Sequence, residues 1–277
     1  GGRSLTWGRQ SYRLTGFDFN ANLEDGIAID WPIRYKDLAP WYHYVEEHIG
    51  VSGENLGLPQ FPDGNYLKPM ELNCVEHDLK TAVEKKYKDR IVTIGRVAHI
   101  TEGEKPGSGR IKCQFRNRCR RGCPYGSYFS SNSSTLPIAE ATGNMTLRPY
   151  SIVTEILYDI NQKRATGVRI IDAETKEVYE FKAKVIFLCA SAIASSSILM
   201  QSKSDRFPNG MGNDSGELGH NLMDHHFQVG ANGSMEGHKD KYYSGRRPNG
   251  IYVPRFRNIG GATNQKDFLR GYGYQGG

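Results

Sequence analysis

The 277 residues predict a mixed α/β chain, and three observations carry that reading. The run Val185-Ile186-Phe187-Leu188-Cys189-Ala190 is apolar without alternation, as in a strand covered on both faces of a parallel sheet. Small residues follow it at 191–197 and lead into a helix start at Ile198-Leu199-Met200, giving a strand–turn–helix order. Elsewhere two stretches place apolar residues at helical spacing, and residues 146–182 contain three β-rich segments separated by polar turns. A chain of this length can bury one large core or two modest ones.

Composition narrows the classes of function. At 38% hydrophobic and 24% charged residues the chain sits in the ordinary globular range. No apolar run approaches the ~20 residues that cross a bilayer, and no apolar leader core follows Gly1-Gly2-Arg3-Ser4. The net charge of +6 is scattered apart from a knot at Arg116, Arg118, Arg120 and Arg121. A nucleic-acid interface would need a basic stripe with interleaved aromatics, so the knot reads as a solvated surface or a docking patch for an acidic partner.

The elements follow in chain order. Leu38, Trp41, Tyr42, Val45 and Ile49 form one apolar stripe, with Asp37 as N-cap, Pro40 in the first turn and Gly50 at the C-terminal cap. A second stripe is Leu72, Val75, Leu79, Ala82, Val83 and Tyr87. Residues 90–100, rich in β-branched side chains, read as a strand. Ser130 to Pro137 enters a short helix, and strands are expected at 146–156, 165–172 and 177–182 with turns at 161–164 and 174–176. Beyond residue 230, glycine, tyrosine and arginine mix (Tyr242, Tyr243, Tyr252, Arg246, Arg247, Arg255), which suits the start of an antiparallel sheet or a sugar-stacking surface.

The sharpest chemical signal is Cys113, Cys119 and Cys123, spaced C-x5-C-x3-C and followed by Pro124. Three thiolates on a turn-rich loop are soft ligands for an iron–sulfur cluster or zinc. Three ligands fit a [3Fe–4S] cluster, or a four-iron cluster with an outside ligand. A closed zinc site lacks an evident fourth ligand, and free or disulfide-linked structural cysteines remain the plain alternative.

The wording of three segments resembles the glucose–methanol–choline (GMC) family of flavin oxidoreductases: the opening GGRSLTWGR, the run CASAIASSSILMQS, and GNDSGELGHNLMDHH. The resemblance implies an incomplete FAD-binding Rossmann-like domain over residues 1–229, with a β-meander insertion and helical and cysteine-loop insertions at 30–130. A substrate domain would start at 230–277. It implies FAD contacts from Gly1, Gly2, Ser4, Trp7 and Gly8, from Val153, from Ala190, Ser191, Ala192 and Ser195, and from Asn221, Asp224 and His225. Thr6 occupies the position where some sugar-oxidising relatives carry a flavin-linked histidine, so a non-covalent FAD is expected. The family's G-x-G-x-x-G strand–helix fingerprint is expected before Gly1. The literal match at 271–276 has no helix after it and reads as chance.

In sugar dehydrogenases of this kind a similar cysteine loop holds a [3Fe–4S] cluster. Electrons then pass to a haem subunit, which implies a small subunit and a cytochrome or quinone-linked acceptor as partners, and export to the periplasm. The family's catalytic histidine would lie beyond residue 277, with His225 and His226 as weaker substitutes here. The reading is therefore an FAD-dependent dehydrogenase of sugar-type alcohols. A sugar oxidase without a cluster, or a non-catalytic sugar-binding or electron-transfer scaffold, are its rivals.

Overall fold

The structure, a computed structural model, describes residues 3–105, 108–223, 229–241 and 249–277. Two compact units are present: Gly1–Met145 with Ser234–Gly277, and Thr146–Gly233. In the first unit, helices α1 (Arg3–Thr6), α2 (Gly16–Asp25) and α3 (Tyr35–Ile49) precede strand β1 (Val51–Ser52) and helix α4 (Cys74–Lys86). Short strands β2 (Thr93–Ile94), β3 (Val97–Ala98), β4 (Glu104–Lys105) and β5 (Arg110–Ile111) lead to helix α5 (Thr135–Ala141). The second unit holds β6 (Ser151–Asp159), β7 (Arg164–Asp172), β8 (Val178–Lys182) and α6 (Ala192–Gln201). The chain then returns to the first unit with β9 (Ile251–Val253) and β10 (Tyr274–Gly276). The mixed α/β class is as expected, and every strand pair is antiparallel among the described residues.

The first unit is built on residues 92–100, all of them buried. The expected strand is real but splits into two halves with different partners. β2 pairs with β9, which also pairs with β10, and β3 pairs with β1. Val92, Ile251, Val253 and Phe256 form a core against which Leu72, Val83 and Tyr87 of the second predicted stripe pack. Residues 249–277 thus complete a sheet begun at Thr93. Tyr252, between Ile251 and Val253 on β9, is half-buried, its ring stacked on Tyr12 at 4.2 Å.

Helix α3 forms where the stripe predicted it, but with different details at its start and on its faces. Arg34 is the N-cap, and Asp37 sits three residues inside, its carboxylate accepting the Arg34 N–H at 2.8 Å. Gly50 closes the helix in the left-handed region with φ 72°. Trp41 and Val45 of the expected core face are 65% and 48% exposed, while Glu46 is buried. The carboxylate of Glu46 accepts from Arg13 Nε at 2.7 Å and Nη2 at 2.5 Å, a bidentate pair with both side chains inside the unit.

In the second unit β6, β7 and β8 form the expected meander, with a bulge directly after Val153. Asp159 and Asp172 hold the two turns by accepting backbone N–H groups two and three residues on. Ser202 fastens α6 to the sheet, donating to Ile198 O and accepting from Ile156 N at 2.8 Å.

The run at 185–190 overturns its expectation. It forms no strand, and Val185 and Phe187 are 66% and 85% exposed. An apolar run becomes a buried parallel strand only where neighbours offer a ladder on each side, and no described strand pairs with it. The small-residue segment after it is not a turn either. α6 starts at Ala192, six residues before the predicted start, with Ser191 at φ 77° as its N-cap. Alanine and serine at 192–197 are compatible with helix once a chain reversal precedes them.

Candidate functional site

Residues 3–6 make one helical turn, after which the chain runs beside residues 128–131. Ser4 Oγ accepts the Ser131 N–H at 2.6 Å and keeps its own proton available. Trp7 Nε1 donates to Ser4 O at 3.1 Å, and the Trp7 ring meets Phe129 edge-on. Tyr128 Oη donates to Gly8 O at 3.0 Å. Arg9 locks the join, donating to Phe129 O and Trp7 O while its guanidinium lies 4.1 Å from the centre of the Tyr128 ring. Two segments far apart in sequence, 4–8 and 128–134, are thereby one polar shelf. Ser134, at the start of α5, is 1% exposed and its hydroxyl has no partner. Gly1 and Gly2 lie outside the described residues.

The remaining expected cofactor residues belong to the second unit. Ala190, Ser191 and Ala192 are exposed at the N-terminus of α6, where the Ser195 N–H is the first to bond back, to Ser191 O. The amides ahead of it are free to meet an anion. Val153 is half-buried and registers with Ile170. Asn221 is exposed at φ 61°, its amide donating to Glu217. Asp224, His225 and His226 lie outside the described residues.

The three cysteines do converge. Both ends of their loop are pinned: Cys113 N–H donates to Ile100 O at 3.0 Å, Ile111 N–H donates to Tyr125 O, and Ser127 Oγ donates to Ile111 O. Arg110, fully buried, donates to Gly126 O and Ile49 O at 2.8 Å each. Between these ends Phe115, Asn117 and Gly122 adopt positive φ, so the chain coils tightly. Cys113, Cys119 and Cys123 are free thiols that line one small cavity, about 20 Å³, together with Arg116, Arg118 and His99. Phe115 N–H already donates to Cys113 Sγ at 3.3 Å.

His99 is the site residue that sequence reading missed. It comes from the core strand segment, 14 residues before Cys113, and nothing in the local pattern marks it. It is 1% exposed, and its Nδ1 has no hydrogen-bond partner. Burial, with the charge of Arg110 second, pulls its pKa down to about 4, so the imidazole is neutral at physiological pH. Burial pushes the Cys113 and Cys119 thiols up, and each is raised further by neighbouring cysteines of the loop. Without a metal these two are therefore protonated near neutrality, and a bound metal would reverse that. Among the described residues no three such side chains already stand at the spacing of a metal centre, so loading one requires the loop to rearrange. A larger cavity of about 600 Å³, lined by Phe17, Asn20, Glu24, Tyr35 and Asp63 among others, contains none of the expected site residues.

The fold and these features define a mixed α/β chain with a serine-lined shelf, an exposed helix N-terminus and a thiol-rimmed cavity. Residues 102–227 match the family model described as GMC oxidoreductase. The chain is 25% identical over 225 residues to the fructose dehydrogenase large subunit of Gluconobacter japonicus, covering 81% of this chain and 40% of that protein. It is 28% identical over 290 residues to 2-methyl-1,2-propanediol dehydrogenase of Mycolicibacterium austroafricanum, covering 99% and 48%. It is 28% identical over 227 residues to paromamine 6'-oxidase of Streptomyces fradiae, covering 80% and 40%. The chain spans less than half the length of these relatives.

Proposed function

We propose that the protein carrying this chain is an FAD-dependent dehydrogenase that oxidises an alcohol group of a sugar-type substrate. The observation that carries the reading is the family match over 102–227, a stretch that contains the cysteine loop, the meander and the α6 turn. Features that suit binding to phosphate support the FAD reading in each unit taken by itself: the Ser4–Ser131 shelf and the orphaned Ser134 hydroxyl in the first, and unbonded amides at the α6 N-terminus in the second. Ser4, Trp7 and Gly8, with Gly1 and Gly2, are the FAD contacts assigned in the first unit. Val153, Ala190, Ser191, Ala192, Ser195, Asn221, Asp224 and His225 are those assigned in the second. Thr6 offers no covalent link, so the flavin would be released on denaturation. When bound, FAD accepts the hydride that leaves the alcohol carbon as the hydroxyl proton goes to a base. That base we assign to a histidine beyond residue 277, ahead of His225 or His226, and we assign residues 230–277 to the start of the substrate domain.

Cys113, Cys119 and Cys123 would hold a [3Fe–4S] cluster. Arg116 and Arg118, which line the same cavity, would offset its negative charge, and the Phe115 N–H already points at a sulfur. One relative is named as a large subunit, which supports a small subunit and a cytochrome or quinone-linked acceptor as partners. A cluster-free sugar oxidase is the second reading, supported by the thiol spacing in this structure and by the relative named as an oxidase.

The deciding experiment is absorption and EPR spectroscopy of the full-length protein purified without oxygen. Flavin together with cluster iron is expected. Flavin without iron, with peroxide formed from sugar in air, would replace the dehydrogenase by the oxidase. Absence of flavin would leave a non-catalytic scaffold.

A further inference from the structure

The cavity of about 600 Å³ in the first unit falls within the range of small-molecule sites, about 300–1,000 Å³. One wall is a single face of α2, where Phe17, Asn20 and Glu24 follow at i, i+3 and i+7. A second wall is the loop at 57–63, which brings Pro59, Pro62 and Asp63, and Tyr35 joins them from the start of α3. Both walls are fixed from within the unit. Buried Phe19 and the capping box of Thr15 and Asp18 anchor α2. The Asp63 carboxylate accepts the Leu56 N–H at 2.8 Å and the Gly57 N–H at 3.2 Å, and buried Arg96 donates to Pro62 O at 2.6 Å. Walls set before binding leave less ordering cost for a ligand to offset.

Three polar groups in the lining retain hydrogen-bonding capacity. Among the described residues the Asn20 amide and the Glu24 carboxylate bond to no side chain or backbone group, and Glu24 senses the charge of Arg255 without pairing with it. The Tyr35 hydroxyl accepts from Arg13 Nη1 at 2.9 Å, which leaves its own proton to donate. The lining contains two carboxylates and, among the described residues, no lysine, arginine or histidine, so it disfavours an anion. A protonated amine could use Glu24 but neither of the two donors. A hydroxyl group suits all three, because it donates and accepts at once. Phe17, Pro59 and Pro62 offer apolar surface for the C–H face of a saturated ring.

We propose that this cavity binds a neutral, hydroxyl-rich small molecule of the mono- or disaccharide class, its hydroxyls held by Asn20, Glu24 and Tyr35 and its ring face against Phe17. None of the residues assigned to FAD lines the cavity, so the proposal does not rest on the flavin reading.

The test is saturation-transfer NMR of the full-length protein, without oxygen or an electron acceptor, using glucose and maltose, with glucose 6-phosphate and putrescine as anionic and cationic probes. Binding of a neutral sugar is expected, and weaker binding of the phosphate. Glu24→Ala should weaken the sugar about tenfold, as for loss of a hydrogen bond to a charged group. Asn20→Ala should weaken it several-fold, and Glu24→Gln, which keeps an acceptor, should retain most of the affinity. Binding of neither sugar, sugar binding unmoved by both alanine variants, or putrescine bound in preference would overturn the proposal. Should a variant fail to fold, hydrogen exchange of the wild type decides: the bound sugar should slow exchange at 55–64, and no change there would overturn the site. Glu24-dependent sugar binding in a protein without flavin would sink the flavin reading alone. Flavin present with sugar binding indifferent to Glu24 and Asn20 would sink this site alone.

Discussion

Glu46 shows how much one side chain settles inside the first unit. It is buried beneath α3 with its carboxylate shared by Arg13, the Tyr66 hydroxyl and the Asn65 N–H. Burial pulls the Arg13 pKa down, but the hydrogen bonds to Glu46 and Tyr35 outweigh it and the net shift is upward. Both partners are desolvated, so removing one strands the other. Glu46→Ala should lower unfolding free energy by about 3–5 kcal/mol, seen as a fall in the urea midpoint, whereas loss of an exposed pair such as Arg206–Asp214 should leave that midpoint nearly unmoved. Asp172 supplies a pH handle. Its carboxylate accepts from the Thr175 and Glu174 amides and then from Arg148, which together hold its pKa at about 2. A depressed carboxylate pKa means its contribution is fully present above about pH 4 and is lost as pH falls through about 2. NMR titration should place the Asp172 midpoint near 2, and Asp172→Asn should abolish that portion of the acid sensitivity of the β7–β8 turn.

Elements were legible where the cause is local. The capping box at Asn73 and Glu76 starts α4, Gly50 ends α3, and aspartates set the meander turns. Asn73→Ala should cost about 1 kcal/mol because the Glu76 N–H loses its acceptor. Gly250→Ala should be far worse than its exposure suggests. An added Cβ would stand 1.8 Å from Gly276 O, which forces β10 off β9. Loss of protection of the 251–253 amides in hydrogen exchange checks this, with 151–159 unaffected. What a period cannot say is which neighbour covers a face. The α3 stripe was found, yet Trp41 and Val45 point to solvent and a glutamate points inward, because Arg13 arrives from outside the helix. The run at 185–190 failed for the same reason: its strand character depends on partner strands that it does not itself supply.

At the scale of the whole molecule, the second unit leaves Val185, Phe187, Ile193, Leu222 and Met223 between 66% and 87% exposed, more apolar surface than a finished soluble domain usually shows. If the full-length protein folds a GMC-type cofactor domain, these side chains are covered there. Phe187→Asp should then cost several-fold in flavin retained after purification, whereas an unchanged flavin content would mean that the run stays at the surface.

Composition and spacing by themselves determined the class of the fold, the meander, the C-terminal cap of α3 and the cysteine triad, and the family wording agrees with the match over 102–227. These are properties of neighbours in sequence, set by turn chemistry, side-chain period and ligand count. Only the tertiary structure joined Ser4 to Ser131 across 127 positions, paired β2 with β9, buried Glu46 against Arg13 and set His99 against the thiols. Each of those depends on which surfaces meet once the core has formed, and burial decides it through contacts that local pattern does not encode.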